Sequence, residues 1–222
     1  MACVRDTNRL APLRCPTCSH PLASGSTCGN PICTWSDRTF GVIHVICEKT
    51  GAIDHVLRGF KYADQPALGW ARILGRLVLG WLEANLSPDD YDLIVANPTH
   101  VGRPVRHTEL ILEAAASEDL LARWPIFPYT LQKAIDTPQS ATGGWHAKWN
   151  AACLLRGAVQ SSGLMDLRGA RVLVFDDITT TCSQFQILGE ILAGYGAVRV
   201  DGLVIARQVH RPRPAAPGTT AP

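Results

Sequence analysis

Charge is scarce in this chain, and what there is nearly cancels. Of 222 residues, 18% are charged, with 21 Lys and Arg against 19 Asp and Glu, a formal net charge of +2. So even a balance argues against a protein drawn to nucleic acid by general electrostatic attraction. Methionine is rare at two residues, aromatics make up 7%, and no internal repeat is visible. Long uncharged apolar runs are also missing. The most apolar helical pattern, residues 67–86, carries Arg72, Arg76 and Glu83, which argues against a membrane span. No segment near the start has the apolar core of a secretory signal, so the expected location is the cytoplasm. The seven histidines form no H-x-x-x-H or similar pair, and only His20 stands near other metal-ligand residue types. Hydrophobic residues, at 46%, suffice for one main globular domain with a small module.

Cysteine is better represented. Cys15-Pro-Thr-Cys18 is followed by Cys28 and Cys33, with Gly29, Asn30 and Pro31 forming a turn between the last two. Two close pairs separated by a short loop suit one tetrahedral zinc ion held by four thiolates. A cytosolic chain rarely keeps disulfides, so metal binding is preferred to a disulfide framework. Unrelated buried thiols are the plain alternative, but residues 11–38 hold too few large apolar side chains to build a core around them. His20 is a spare ligand, Cys3 and Cys47 are weaker ones, and Cys153 sits in an apolar pattern that reads as packing.

The densest chemistry lies at residues 171–184. An apolar run, Val172 to Phe175, ends in Asp176 and Asp177, and a hydroxyl-rich turn then opens into a helical pattern. The run reads as a strand buried on both faces of a parallel sheet, and ligands of such sheets sit beyond the strands' carboxyl ends. Backbone N–H groups of a turn, backed by the first N–H groups of a helix, make an anion site. Thr180, Thr181 and Ser183 add hydroxyl donors, while Asp176 and Asp177 are acceptors fit for ribose hydroxyls or, through water, magnesium. A simple helix cap needs one polar residue. Here six of seven positions from 176 to 183, leaving out Cys182, are polar. A sugar phosphate is the expected ligand.

A second candidate is the loop over residues 97–106, at the end of another apolar strand. Asn97, Pro98 and Thr99 are followed by Arg103 and Arg106, and guanidinium groups match phosphate oxygens in a bidentate fork. The competing reading is a solvated basic turn. Lys61 either reaches the same anion or caps a helix end. Trp145 and Trp149, in a Gly-flanked segment, either stack on a base or pack in the core.

Residues 171–184 resemble the phosphoribosyl pyrophosphate signature of type I phosphoribosyltransferases, an apolar strand followed by D-D-hydrophobic-x-T-T-G-x-T. By that resemblance Asp176 and Asp177 face the ribose, and Thr179, Thr180, Thr181, Cys182, Ser183 and Gln184 form the 5′-phosphate loop. Joined to a four-cysteine segment, the pattern is similar to ComF-type proteins, which pair a zinc finger with a phosphoribosyltransferase-like domain. Residues 57–62 (LRGFKY), 92–99 (DLIVANPT) and Thr137-Pro138-Gln139 followed by Asn150 extend the likeness. The resemblance implies phosphoribosyl pyrophosphate with Mg2+ as ligand, a nitrogen acceptor, a pyrophosphate loop at 97–106, and a strained or cis peptide near residues 95–97. Four places depart from it. Cys182 stands where the family has Gly, which is expected to weaken the grip on phosphate. Gln184 stands for Thr, Arg106-His107-Thr108-Glu109 replaces R-G-F-N-Q, and Ala147 or His146 sits where an Arg precedes Asn150, with Lys148 as a partial substitute. A second reading follows from the same family: a protein of DNA uptake in natural competence, with a degenerate site, that binds single-stranded DNA or competence proteins.

The expected architecture is α/β, a mostly parallel sheet flanked by helices, with a zinc module over residues 1–38, a phosphoribosyltransferase-like domain over 39–210 and a disordered tail over 211–222. Expected strands are 38–47 (a strand or hairpin), 92–96, 127–132, 171–176 and 198–206. Expected helices are 53–62, 66–85, 107–122 and 183–194, and residues 143–150 read as a flap. The oligomeric state and the acceptor are not legible.

Overall fold

A computed structural model of the chain describes residues 10–61, 68–138 and 143–209. The expected tail, together with Cys3, Tyr62 and Gln139, lies outside the described residues. Four strands form one sheet: β1 (Ile43–Glu48), β2 (Leu93–Ala96), β5 (Arg171–Thr179) and β6 (Arg199–Arg207). Their spatial order is β1-β6-β5-β2, and all three pairings are parallel. β3 (Leu131–Lys133) and β4 (Val159–Ser161) form a separate antiparallel pair. The helices are α1 (Gly51–Lys61), α2 (Leu68–Asn85), α3 (His107–Glu118), α4 (Trp145–Cys153), α5 (Leu155–Ala158) and α6 (Ser183–Gly194).

Alternation along the strands sorts the core into two layers. Leu173 and Phe175 face one way and pack with Leu74, Val78 and Leu82 of α2 and with Ile111 and Leu112 of α3. Val172 and Val174 face the other way and pack with Phe185, Leu188 and Leu192 of α6. Helices on both sides explain why β2 and the middle of β5 are wholly apolar. The mostly parallel sheet flanked by helices is therefore the observed architecture. Gly75 lets α2 close on α3, since a Cβ there would lie 2.7 Å from the Ala115 nitrogen. Segment 11–38 does not stand apart: Cys18, Ile32 and Phe40 join the cluster that holds Val174 and Phe185. No helix among the described residues is long and apolar enough to cross a membrane.

Several elements differ from expectation. Residues 38–47 make no hairpin. Gly41 N donates to Val200 O and Val42 N to Asp201 Oδ1, so the chain enters β1 already attached to β6. The helix expected to reach residue 122 stops at Glu118, where Asp119 turns the chain by accepting the Trp124 N–H at 2.7 Å. Residues 127–132 yield only β3, and residues 145–150 of the expected flap are helical. No cis peptide occurs among the described residues, and residues 95–97 have no positive φ. Asn97 N instead donates to Phe175 O at 2.7 Å, so regular strand geometry continues past β2.

Candidate functional site

The parallel strands end on one edge, and a cleft of about 400 Å³ opens above it. Its floor is the end of β5. Asp176 accepts from Asn97 Nδ2 at 2.9 Å and from the Asp177 backbone N–H at 2.9 Å. Asp177 turns toward the opposite wall, with its Oδ2 3.4 Å from Lys61 Nζ and 3.5 Å from His107 Nε2. Burial and the adjacent Asp177 charge push the Asp176 carboxyl up to about 8. Burial also opposes ionisation of Asp177, but the Lys61 ammonium and His107 overcome it and hold that carboxyl below its ordinary value. His107 is itself pushed down by burial, against the pull of Asp177. Near neutral pH the acid pair thus keeps one proton and one negative charge.

Beyond β5 the chain forms a recess of about 40 Å³ bounded by Thr179, Thr180, Thr181, Cys182, Ser183 and Gln184, with Lys148 over it. Cys182, the residue before α6, has φ +63° and ψ 12°. That is the left-handed backbone which glycine adopts without strain, so the tight turn is made despite the side chain. The cysteine sulfur points behind the loop, 3.5 Å from Arg207 Nη1. Thr181 and Ser183 hydroxyls lie 2.8 Å apart at the start of α6, and Gln184 accepts from Asn97 at 2.5 Å. Lys148, on α4, is 6% exposed, and its ammonium has no hydrogen bond or ion pair among the described residues. Burial first, then the Lys49 charge, lowers its pKa.

The loop after β2 supplies the other wall. Asn97, Pro98, Thr99, His100 and Arg103 border the cleft, and Arg103 Nη2 lies 3.4 Å from Asp136. Lys133, on β3 and paired to His100 by a backbone bridge, borders it too, with its pKa lowered by burial and by Arg103. Arg106 departs from expectation. Its guanidinium grips the fully buried Glu109 at 2.9 and 3.2 Å and lies 5.0 Å from the Tyr129 ring centre, away from the cleft. Glu109 also accepts the Thr99 N–H at 2.9 Å, so that donor is not free for a ligand.

The four cysteines come together as expected. Sγ atoms of Cys15, Cys18, Cys28 and Cys33 all lie within 4.8 Å of one another. Contacts of 3.8 Å (Cys15–Cys33), 3.6 Å (Cys18–Cys28) and 3.8 Å (Cys28–Cys33) match the ~3.8 Å edge of a tetrahedron with zinc–sulfur bonds of about 2.3 Å. The residues therefore fit a structural zinc ion. His20 is not in the cluster, and Cys47 is core, donating to Ile205 O. Trp145 and Trp149 do not border the cleft. They stack on each other at 5.8 Å and meet Trp35 edge-on, tying α4 to the cysteine segment.

Lys49 and Lys133 border the cleft without having been singled out from the sequence, and His107 was weighed only as a departure. Lys133 and Lys49 carry no local signal, because they arrive from separate parts of the chain. His107 had one, its place at the start of the helix after the second loop. Arg207 also had one: a lone cation closing the apolar run Leu203–Ala206.

No known family model matches the chain, and no curated protein matches it. Solved structures do. One described as the allosteric regulatory enzyme of purine biosynthesis is similar over 60% of this chain at 16% identity and a TM-score of 0.35; this chain spans only 25% of it. The hypoxanthine phosphoribosyl transferase of Trypanosoma cruzi is similar over 65% of this chain and 68% of its own, at 10% identity and TM-score 0.33. A purine phosphoribosyltransferase from Pyrococcus horikoshii Ot3 is similar over 68% and 95%, at 13% identity and TM-score 0.33. Likenesses this distant carry no argument about chemistry, which rests on the chain's own cleft.

Proposed function

We propose that the chain is a phosphoribosyltransferase-like protein that binds phosphoribosyl pyrophosphate with Mg2+ and transfers the phosphoribosyl group to a nitrogen acceptor. One observation carries the reading: a single cleft joins an anion recess, a carboxylate pair and a second group of cations. The recess beneath Lys148 suits the 5′-phosphate. Asp176 and Asp177 suit the ribose hydroxyls, and Arg103, Lys133 and Lys61 suit pyrophosphate. Residues 39–210 form the transferase unit, and residues 1–38 its zinc module.

As the bond from the anomeric carbon to pyrophosphate breaks, positive charge grows on the sugar and negative charge on the leaving group. Asp177, ionised and held by Lys61 and His107, offsets the first. Arg103 and Lys133 receive the second, at positions fixed before reaction. The recess anchors the far end of the sugar and contributes position. Carboxylates of this pair are the donors magnesium takes, and when bound the ion further neutralises the pyrophosphate.

The test is binding and thermal shift with phosphoribosyl pyrophosphate and magnesium. A raised melting temperature is expected, and Asp177→Asn should abolish magnesium-dependent binding. Unchanged affinity in that variant removes the assigned role. Single-stranded DNA binding with a steep salt slope, and no response to the sugar phosphate, replaces this reading with a DNA-uptake protein whose site has lost turnover.

A further inference from the structure

The loop that forms the anion recess is held from behind by Gln208, Arg207 and Asn30, of which only Gln208 also borders the cleft. Thr179 O accepts from Gln208 N at 2.8 Å, Thr180 O from Arg207 Nη2 at 3.0 Å, and Thr181 O from Asn30 Nδ2 at 3.1 Å. In a trans peptide the carbonyl of one residue and the N–H of the next point in opposite directions. Tying these carbonyls to the rear therefore turns the N–H groups of Thr180, Thr181 and Cys182 to the front. None of those three has an acceptor among the described residues. In front of them stands Lys148, nine-tenths buried and unpaired. Successive free N–H groups facing the ammonium of a largely buried lysine make a built anion site.

The rear clamps trace back to the cysteine segment. Arg207 is 1% exposed, and its Nη1 donates to Cys18 O at 2.5 Å while Nη2 holds the loop. Asn30 sits in the turn between Cys28 and Cys33, its Oδ1 accepting the Ile32 N–H at 3.4 Å. The same fork and the same turn thus touch the thiol cluster on one side and the loop on the other. We infer that Arg207 and Asn30 are positioning residues which make the four-cysteine module the template of the phosphate site, so that zinc retention and anion binding are coupled. The inference rests on the loop being the phosphate site of the proposed function and adds what sets its shape. Coupling of this kind is reciprocal: a bound anion stabilises the module as much as the module favours the anion.

Asn30→Asp removes the amide donor facing Thr181 while keeping the oxygen that caps the turn. With the full chain, this variant should hold as much zinc as the wild type yet bind phosphoribosyl pyrophosphate–magnesium, and inorganic pyrophosphate, about tenfold more weakly. Arg207→Met should lose more, and Arg207→Lys, which can keep one of the two carbonyl contacts, should fall between. The decisive readout is zinc release to a chromogenic chelator. Saturating ligand should slow release from the wild type, and slow it less in Asn30→Asp, where only the Arg207 link remains. Equal affinity in a zinc-replete Asn30→Asp protein overturns the inference and leaves the proposed function standing. If the wild type binds neither ligand, the functional reading falls and takes the inference with it. If Asn30→Asp fails to retain zinc, the wild type alone decides: release unaffected by saturating ligand overturns the coupling.

Discussion

Two loops leave the same sheet edge and face the same cleft, yet they are built in opposite senses. After β5, carbonyls are tied down and N–H groups are left open. After β2, the Thr99 N–H is spent on Glu109, and the Arg106 guanidinium is spent there too. The first loop offers unpaired backbone N–H groups, as the proposed phosphate site requires. The second offers the cleft the Arg103 side chain, beside Lys133 from the neighbouring β3. Loops of similar position and polarity are thus distinguished by where their backbone hydrogen bonds go, which composition does not reveal.

Arg106→Ala probes that contrast hardest. It leaves Glu109 buried without its cation, which should cost about 3 kcal/mol of stability, while affinity for phosphoribosyl pyrophosphate measured below the melting transition stays near wild type. A large loss of affinity with stability intact would place Arg106 in the site after all. Lys148→Met should have the reverse signature. Removing a half-desolvated ammonium with no partner among the described residues should stabilise the ligand-free chain by on the order of 1 kcal/mol, read as a higher melting temperature, and weaken phosphate binding about tenfold. Loss of both, or of neither, would show that the ammonium does not serve the recess.

The smallest effect concerns pH. Asp176 has its folded-state value raised from 3.8 to about 8, so the folded chain holds a proton that the unfolded chain releases. The stability linked to that proton is full below about pH 4 and is lost as pH rises toward 8. Asp176→Asn should therefore gain on the wild type by about 1 kcal/mol between roughly pH 6.5 and 7.5. A constant gap across that interval would mean the pair does not share a proton.

Much of this was legible in sequence for a physical reason. Val172–Phe175 and Leu93–Ala96 are apolar throughout because both faces of the sheet are covered, and the acids that end β5 stand out against that background. The cysteine spacing announced its own cluster, since four thiols close in sequence need little topology to meet. Lys133 and Lys49 were not legible, because long-range packing brings them to the cleft. Arg106 looked like a phosphate ligand only because the Glu109 beneath it, three residues on, was not weighed as its partner. Cys182 shows the limit most clearly. The residue type argued against a tight turn, but clamps from residues 30, 207 and 208 impose the backbone shape regardless.

The bond from Arg207 to Cys18 spans 189 residues, and it joins β6 to the cysteine segment. During synthesis the loop after β5 emerges before the two residues that pull its carbonyls back. A product cut short before residue 207 would retain every group that borders the recess, together with all four zinc ligands, but of the three clamps on the loop only Asn30. The backbone shape on which the proposed phosphate site rests is therefore completed last, once β6 has been made.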